Sequence, residues 1–233
     1  MRTFLPAALA LAAIAAAAPA DAATRNFGVS GFDRIRVDGP YTVRLATGVA
    51  PFAVASGSSA ALDAISLDVQ GRTLVVRGNR SSWGGYPGEA KGPVEISIGT
   101  HELDAAWVNG SGSLAIDRLR GLSFDLSMEG SGSARVGSVA VDQFKIVISG
   151  TASAAIAGVA PRLTATVRGV SSLDASGLTV KDATISAQGP ATVKATVTST
   201  AKVDALGAAL VDLAGKPACT VRAEGSATVN GCR

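Results

Sequence analysis

Histidine is almost missing from this chain: His101 stands alone among 233 residues. Any nucleophile–histidine pair has that one candidate base. Its setting, IGTHELDAA, reads as a strand end entering a repeat, where a surface histidine is expected. Cysteine is nearly as scarce, with only Cys219 and Cys232. A structural zinc site takes about four ligands, so no metal site is expected, and no cofactor. Aromatic residues make up 4% of the chain, which suits a narrow interior filled by Ala, Val and Ser. Basic runs are absent and the net charge is only +3. That leaves no electrostatic footprint for nucleic acid. Past the N-terminus, no stretch reaches the ~18 uninterrupted apolar residues of a transmembrane helix.

The N-terminus carries the longest apolar run, and it too is short for a membrane span. MRTFLPAALALAAIAAAAPADAA pairs Arg2 with an apolar run from Phe4 to Ala18 and then small residues suited to cleavage. Residues 1–22 are read as a secretory signal peptide. The remaining residues, 23–233, are expected to form one exported domain, in the periplasm or at the cell surface. In an exported chain, two cysteines most simply form one disulfide, so Cys219 and Cys232 are expected to be bridged.

A glycine-centred phrase dominates what is present. NGSGSLAI, EGSGSARV, SGTASAAI and RGVSSLDA follow one another, centred on Gly110, Gly130, Gly150 and Gly169, and the phase continues to Gly189, Gly207 and Gly225. The steps are 20, 20, 19, 20, 18 and 18 residues. Such a period marks a solenoid. The columns decide which kind. Four and six residues after each glycine the chain is apolar (Leu114 and Ile116, Ala134 and Val136), while the position between is mixed. The same alternation runs backward from the glycine through Val108 and Ala106, or Ile148 and Ile146. Period two means strands with one face buried, and no helical stripe fits a leucine-rich repeat.

The expected fold is therefore all-β: a single-stranded, right-handed parallel β-helix of about 18–20 residues per coil, with three short strands in each. At ~4.8 Å per coil the rod is roughly 30 Å long. Phe124 should stack on Phe144 in the column six residues before the glycine, a column that begins at Asp104 and shrinks toward Cys219. Small residues two after the glycine (Gly112, Gly132, Ala152) should line an inner corner, and Ser113, Ser133 and Ser153 should form an outer hydroxyl ladder. Residues 109–233 carry the regular coils and 27–108 the irregular ones. Within the latter, ISLDVQGRTLVVRG is expected to be a hairpin about Gln70-Gly71.

The strand FDRIRVDGPYTVRL, the pair ISLDVQGRTLVVRG and the passage HELDAAWVNGSGSLAI into GSG-phased repeats resemble, in order and phase, a bacterial family described as putative auto-transporter adhesin, head GIN domain. The resemblance spans the chain from about residue 27. It implies an exported single-domain β-helix and supplies no catalytic residues; the expected function is a non-catalytic module that binds, adhesin-like, an envelope glycan or surface protein. The last repeat runs straight into GCR, without the alternating strands of a membrane barrel, so self-secretion is not expected.

A carbohydrate-active β-helix enzyme is the alternative, and a purely structural envelope protein a third option. A glycosidase needs two carboxylates about a cleft. Asp174 and Asp212 share an outer column but Lys194 separates them, and other acids are scattered. A concave outer strip with paired acids and a basic residue would favour the enzyme. The segment NRSSWGGYPGEAKG, 79–92, breaks the repeat, and its Trp83 and Tyr86 with Arg80 and Lys91 form the candidate contact loop. The competing reading is a loop folded back as an end cap. Trp107, in an outward column, is able to join either arrangement.

Overall fold

The computed structural model describes residues 23–79 and 92–233. It is a β-solenoid of about 6 turns with an irregular N-terminal β region. The signal segment and the contact-loop residues Arg80, Trp83, Tyr86 and Lys91 lie outside the described residues.

The irregular region contains β1 (Ala23–Phe27), β2 (Arg34–Asp38), β3 (Thr42–Thr47), β4 (Phe52–Gly57), the short helix α1 (Ser59–Asp63), β5 (Ile65–Gln70), β6 (Thr73–Gly78) and β7 (Glu95–Thr100). The Ser58 side chain caps α1 by accepting the Ala61 N–H at 3.2 Å. β5 and β6 form the expected antiparallel hairpin, with Gln70 opposite Thr73 and Gly71 at φ +63° in the turn. The regular region follows as β8 (Ala105–Gly110), β9 (Ser113–Gly130), β10 (Ser133–Gly150), β11 (Ser153–Val159), β12 (Arg162–Gly169), β13 (Ser172–Gln188), β14 (Thr192–Gly207), β15 (Leu210–Ala214), β16 (Ala218–Gly225) and β17 (Thr228–Asn230).

Three separate strands per coil were expected, but β9 and β10 each run unbroken for 18 residues, from just after one glycine corner to the next. Burial shows where these long strands bend. Leu114 and Ile116 point inward, then Leu119, then Phe124, Leu126 and Met128. The breaks in alternation mark bends that keep the ladder hydrogen-bonded. In these two coils only the glycine corner interrupts it, because there the chain leaves extended geometry; later coils also break between β11 and β12 and between β15 and β16. Gly110, Gly130 and Gly150 have φ of +98°, +111° and +102°, values a Cβ strongly disfavours. Close stacking adds a second demand, since a Cβ on Gly130 would stand 2.6 Å from the Gly110 carbonyl oxygen.

The predicted columns align in register. Phe124 pairs with Phe144, and Leu163, Ala183 and Ala201 continue the column. Gly112, Gly132 and Ala152 fill the inner corner, buried, and Ser113, Ser133 and Ser153 stack outside it. One member is corrected. Asp104 is exposed, and Leu103 takes the buried place at that end of the coil, since an unpaired carboxylate does not stay in an apolar interior.

The N-terminal coils do not stack in sequence order. β2 lies between β6 and β8, parallel to both, and β3 lies likewise between β7 and β9. The segment after β4 thus passes outward, builds the end coil, and returns on the far side of the coil containing Gly39. Antiparallel pairs close the end: β5 on β6, β4 on β7, and β1 on β4. At the other end Cys219 and Cys232 are disulfide-bonded, with Cα atoms 5.7 Å apart.

Candidate functional site

Each glycine corner separates two outer faces. The strands leading into it (β2, β8 and the later parts of β9 and β10), with β6 paired to β2, make one face. The strands leaving it (β3 and the first parts of β9 and β10), with β7 paired to β3, make the other.

On the leading face, alternation turns residues two apart outward. Two outward rows cross β2, β8 and β9 in register: Arg34–Ala105–Asp125, and Arg36–Trp107–Ser127. Ala105 is small and buried, so the first row dips between Arg34 and Asp125. Trp107, half-buried, stands as a wall beside the dip. Glu102 and Asp104, in the turn before β8, form one rim, and Arg120 to Ser123 in the bend of β9 form the other. The result is an open groove of about 620 Å³, a size usual for small-molecule sites.

Some of its charges are fixed and others free. Arg36 Nε donates to Asp38 Oδ1 at 2.9 Å, and Asn109 Nδ2 donates to the same oxygen at 2.7 Å. Arg34 Nε lies 3.7 Å from the buried carboxylate of Asp33, which Arg72 also engages. Arg72 further reaches to 4.0 Å from Asp104. Glu102, Arg120 and Asp125 have no ion-pair or hydrogen-bond partner for their side chains among the described residues. Leu122 on the rim is 79% exposed. An indole face, a small floor and unengaged donors and acceptors of both signs suit a ligand with apolar faces and many hydroxyls.

The sequence-derived candidates are distributed otherwise. His101 is exposed, and its backbone carbonyl accepts the Gly48 N–H at 2.9 Å. Asp174 and Asp212 lie on the departing face with Lys194 in register between them. The hydroxyl and backbone N–H of Ser176 both donate to Asp174, at 2.5 and 3.1 Å, and hold its carboxyl below the usual carboxylate range. Among the described residues, no three His, Cys, Asp or Glu side chains converge as a metal site, and no helix is long and apolar enough to cross a membrane. Trp107 was visible from the sequence as an outward aromatic. Arg34 and Asp125 were not, because β2 reaches β8 only through the out-and-back path of the chain.

The description putative auto-transporter adhesin, head GIN domain, matches residues 31–217. This chain belongs to that family. Its coil architecture recurs in a putative adhesin from Bacteroides fragilis, with a TM-score of 0.80 at 18% identity over 90% of this chain and 96% of that one. A protein from Parabacteroides distasonis named as a putative lipid binding protein has a TM-score of 0.69 at 16% identity, over 91% and 97% of the two chains. A putative adhesin from Parabacteroides merdae has a TM-score of 0.66 at 14% identity, over 91% and 96%. At these identities the likeness is one of fold. None of the curated proteins matches the chain. The family description fits an adhesin-like module.

Proposed function

We propose that this head GIN domain is an exported module that holds an envelope or surface glycan in the Trp107 groove without cleaving it. The observation that carries the reading is the placement of the Trp107 indole beside the Arg34–Ala105–Asp125 row. A sugar ring offers the indole its C–H face and offers Arg34, Asp125 and Arg120 its hydroxyls. Exposed charges at the rim also retain their water when no ligand is present, which fits recognition of a polar chain at an open surface.

A second reading is favoured by one specific observation: the groove is a concave strip with three acids and basic residues, as a carbohydrate-active enzyme requires. Against it stands the exposure of Glu102, Asp104 and Asp125. A glycosidase sets its two carboxyls across a cleft that holds the scissile bond, and these stand at an open groove facing water.

The test is binding to immobilised neutral and acidic glycans and to purified envelope polysaccharides. Trp107→Ala is expected to weaken binding by more than about tenfold, as for a central aromatic contact, with thermal unfolding little changed. The Trp83→Ala, Tyr86→Ala double variant is the comparison. If it alone loses binding, the contact lies in the 79–92 segment and the Trp107 site is refuted. Release of reducing ends from any bound glycan would establish the enzyme instead.

A further inference from the structure

We propose that the departing face carries a second, independent site, for a single-chain amphiphile with an anionic head. A groove of about 420 Å³ crosses β3, β7, β9 and β10 on this face, beside Phe52 at the start of β4. Its surface is nearly all carbon, for reasons visible in the rows. Across β3, β9 and β10 the outward row reads Arg44–Ala115–Arg135, so a methyl group lies between two guanidinium groups. Gly137 extends the floor, and a Cβ there would stand 2.8 Å from the Asp117 carbonyl oxygen. The wall is Phe52. Its ring lies over Gly99, where any Cβ would overlap it and would also come within 2.9 Å of Val49 Cγ2. Phe52 and Val49 remain 40% and 38% exposed, an apolar lip left in water beside an apolar floor.

The charges at this groove are unequal. Arg44 is paired with Glu95 at 2.8 Å. Asp117 Oδ1 accepts the backbone N–H of Thr47 and of Arg118, at 3.0 and 2.6 Å. Arg135 has no ion-pair or hydrogen-bond partner for its side chain among the described residues. Its neighbours in register are Ala115 and Ala155. The next acid of its row, Asp174, lies one strand beyond Ala155 and is engaged by Ser176. Two further depressions on this face also border Arg135. One free cation at the end of a carbon-lined groove complements an acyl chain that ends in a carboxylate or phosphate. It complements a sugar poorly, since the groove has few other free polar groups, and a neutral hydrocarbon would leave Arg135 unused.

The experiment is titration calorimetry of the protein with oleate and with dodecyl phosphate below their micelle concentrations. Oleyl alcohol and acetate supply the chain and the head alone. Saturable one-to-one binding of at least one anionic amphiphile is expected, and none of acetate. Oleyl alcohol, and the Arg135→Gln variant with the anionic ligands, should bind about tenfold more weakly, the loss typical of one hydrogen bond to a charged group. Lys194→Gln, in the same outer row and with the same change in net charge, should bind as wild type. Thermal unfolding of both variants confirms that they are folded. Absence of saturable binding by both amphiphiles overturns the site, as does equal binding by wild type and Arg135→Gln. An equal loss in the Lys194 variant overturns it too, by showing general charge attraction.

Discussion

Phe124 and Phe144 show how much of this fold rests on single side chains stacked one coil apart. Both are fully buried, their ring centroids are 5.5 Å apart and their planes are tilted by 44°. Leu163 covers Phe144 from the next coil. Because backbone ladders fix the coil spacing on both sides, neighbours have little freedom to close a void. Phe144→Ala is therefore expected to cost about 3–5 kcal/mol, the usual range for a buried phenylalanine in a core that cannot collapse. Urea unfolding of the variant checks it, and a near-neutral shift would contradict the stacking. This pair was legible because the repeat spaces both residues six before a glycine. Asp33 was not. It is a buried acid in an irregular stretch, joined to Arg72, with Oδ1 lacking a hydrogen-bond partner. Nothing in the local pattern FDRIRV distinguishes it from an exposed strand-edge aspartate, and only the docking of the β5–β6 turn, where the Arg72 carbonyl accepts the N–H of Asp33 and Arg34 at 3.2 Å each, encloses it.

Among the elements, the glycine corners are where sequence and geometry agree most closely. The column Gly110, Gly130, Gly150 recurs because each corner needs a positive-φ backbone, and Gly130 and Gly150 also need an empty Cβ position against the corner below. Position 171 shows a variation: Ser171 occupies the inner corner and its hydroxyl donates to the Gly150 carbonyl at 3.0 Å, so a small polar side chain is tolerated where it satisfies that oxygen. Gly130→Ala meets both obstacles together, φ +111° and 2.6 Å to the Gly110 carbonyl oxygen. Its expected cost exceeds about 1 kcal/mol, beyond the entropic gain alanine brings at a compatible site. Equilibrium unfolding decides this, and a stabilised variant would show that the corner is not strained. The strand count was misread for a related reason. Hydrophobic alternation records which side chains point inward, so a bend that preserves hydrogen bonding looks like a strand end. Likewise, the shortening of the coil step to 18 residues appears in the structure as register shifts between β13 and β14 rather than as a break. The placement of β2 between β6 and β8 had no local signal, since parallel strands of Ile and Val pair equally well in either order.

At the scale of the whole molecule the two ends of the solenoid are finished differently, and the two outer faces carry different chemistry. The N-terminal end is closed by antiparallel strands and α1, which turn parallel edges into paired ones. The other end has no such cover among the described residues. Val221, in the inward column of β16, is 44% exposed, and β17 is three residues long. Side chains that would be core in any earlier coil here meet water, so local packing contributes little to holding this coil. The Cys219–Cys232 bridge supplies what packing does not, tying the segment after β17 back to β16 across a separation of 13 residues. Closing a loop of that length is worth about 3 kcal/mol in the chain-entropy model. In a solenoid, where each coil contacts only its neighbours, the loss should stay local. The Cys219→Ala, Cys232→Ala variant is therefore expected to show faster amide exchange across residues 218–230, with exchange in β9 and β10 close to wild type. Uniform acceleration along the chain would mean that the solenoid unfolds as one unit and that the bridge stabilises all of it. No acceleration at residues 218–230 would mean that the ladder of β14 with β16 holds the last coil without the bridge.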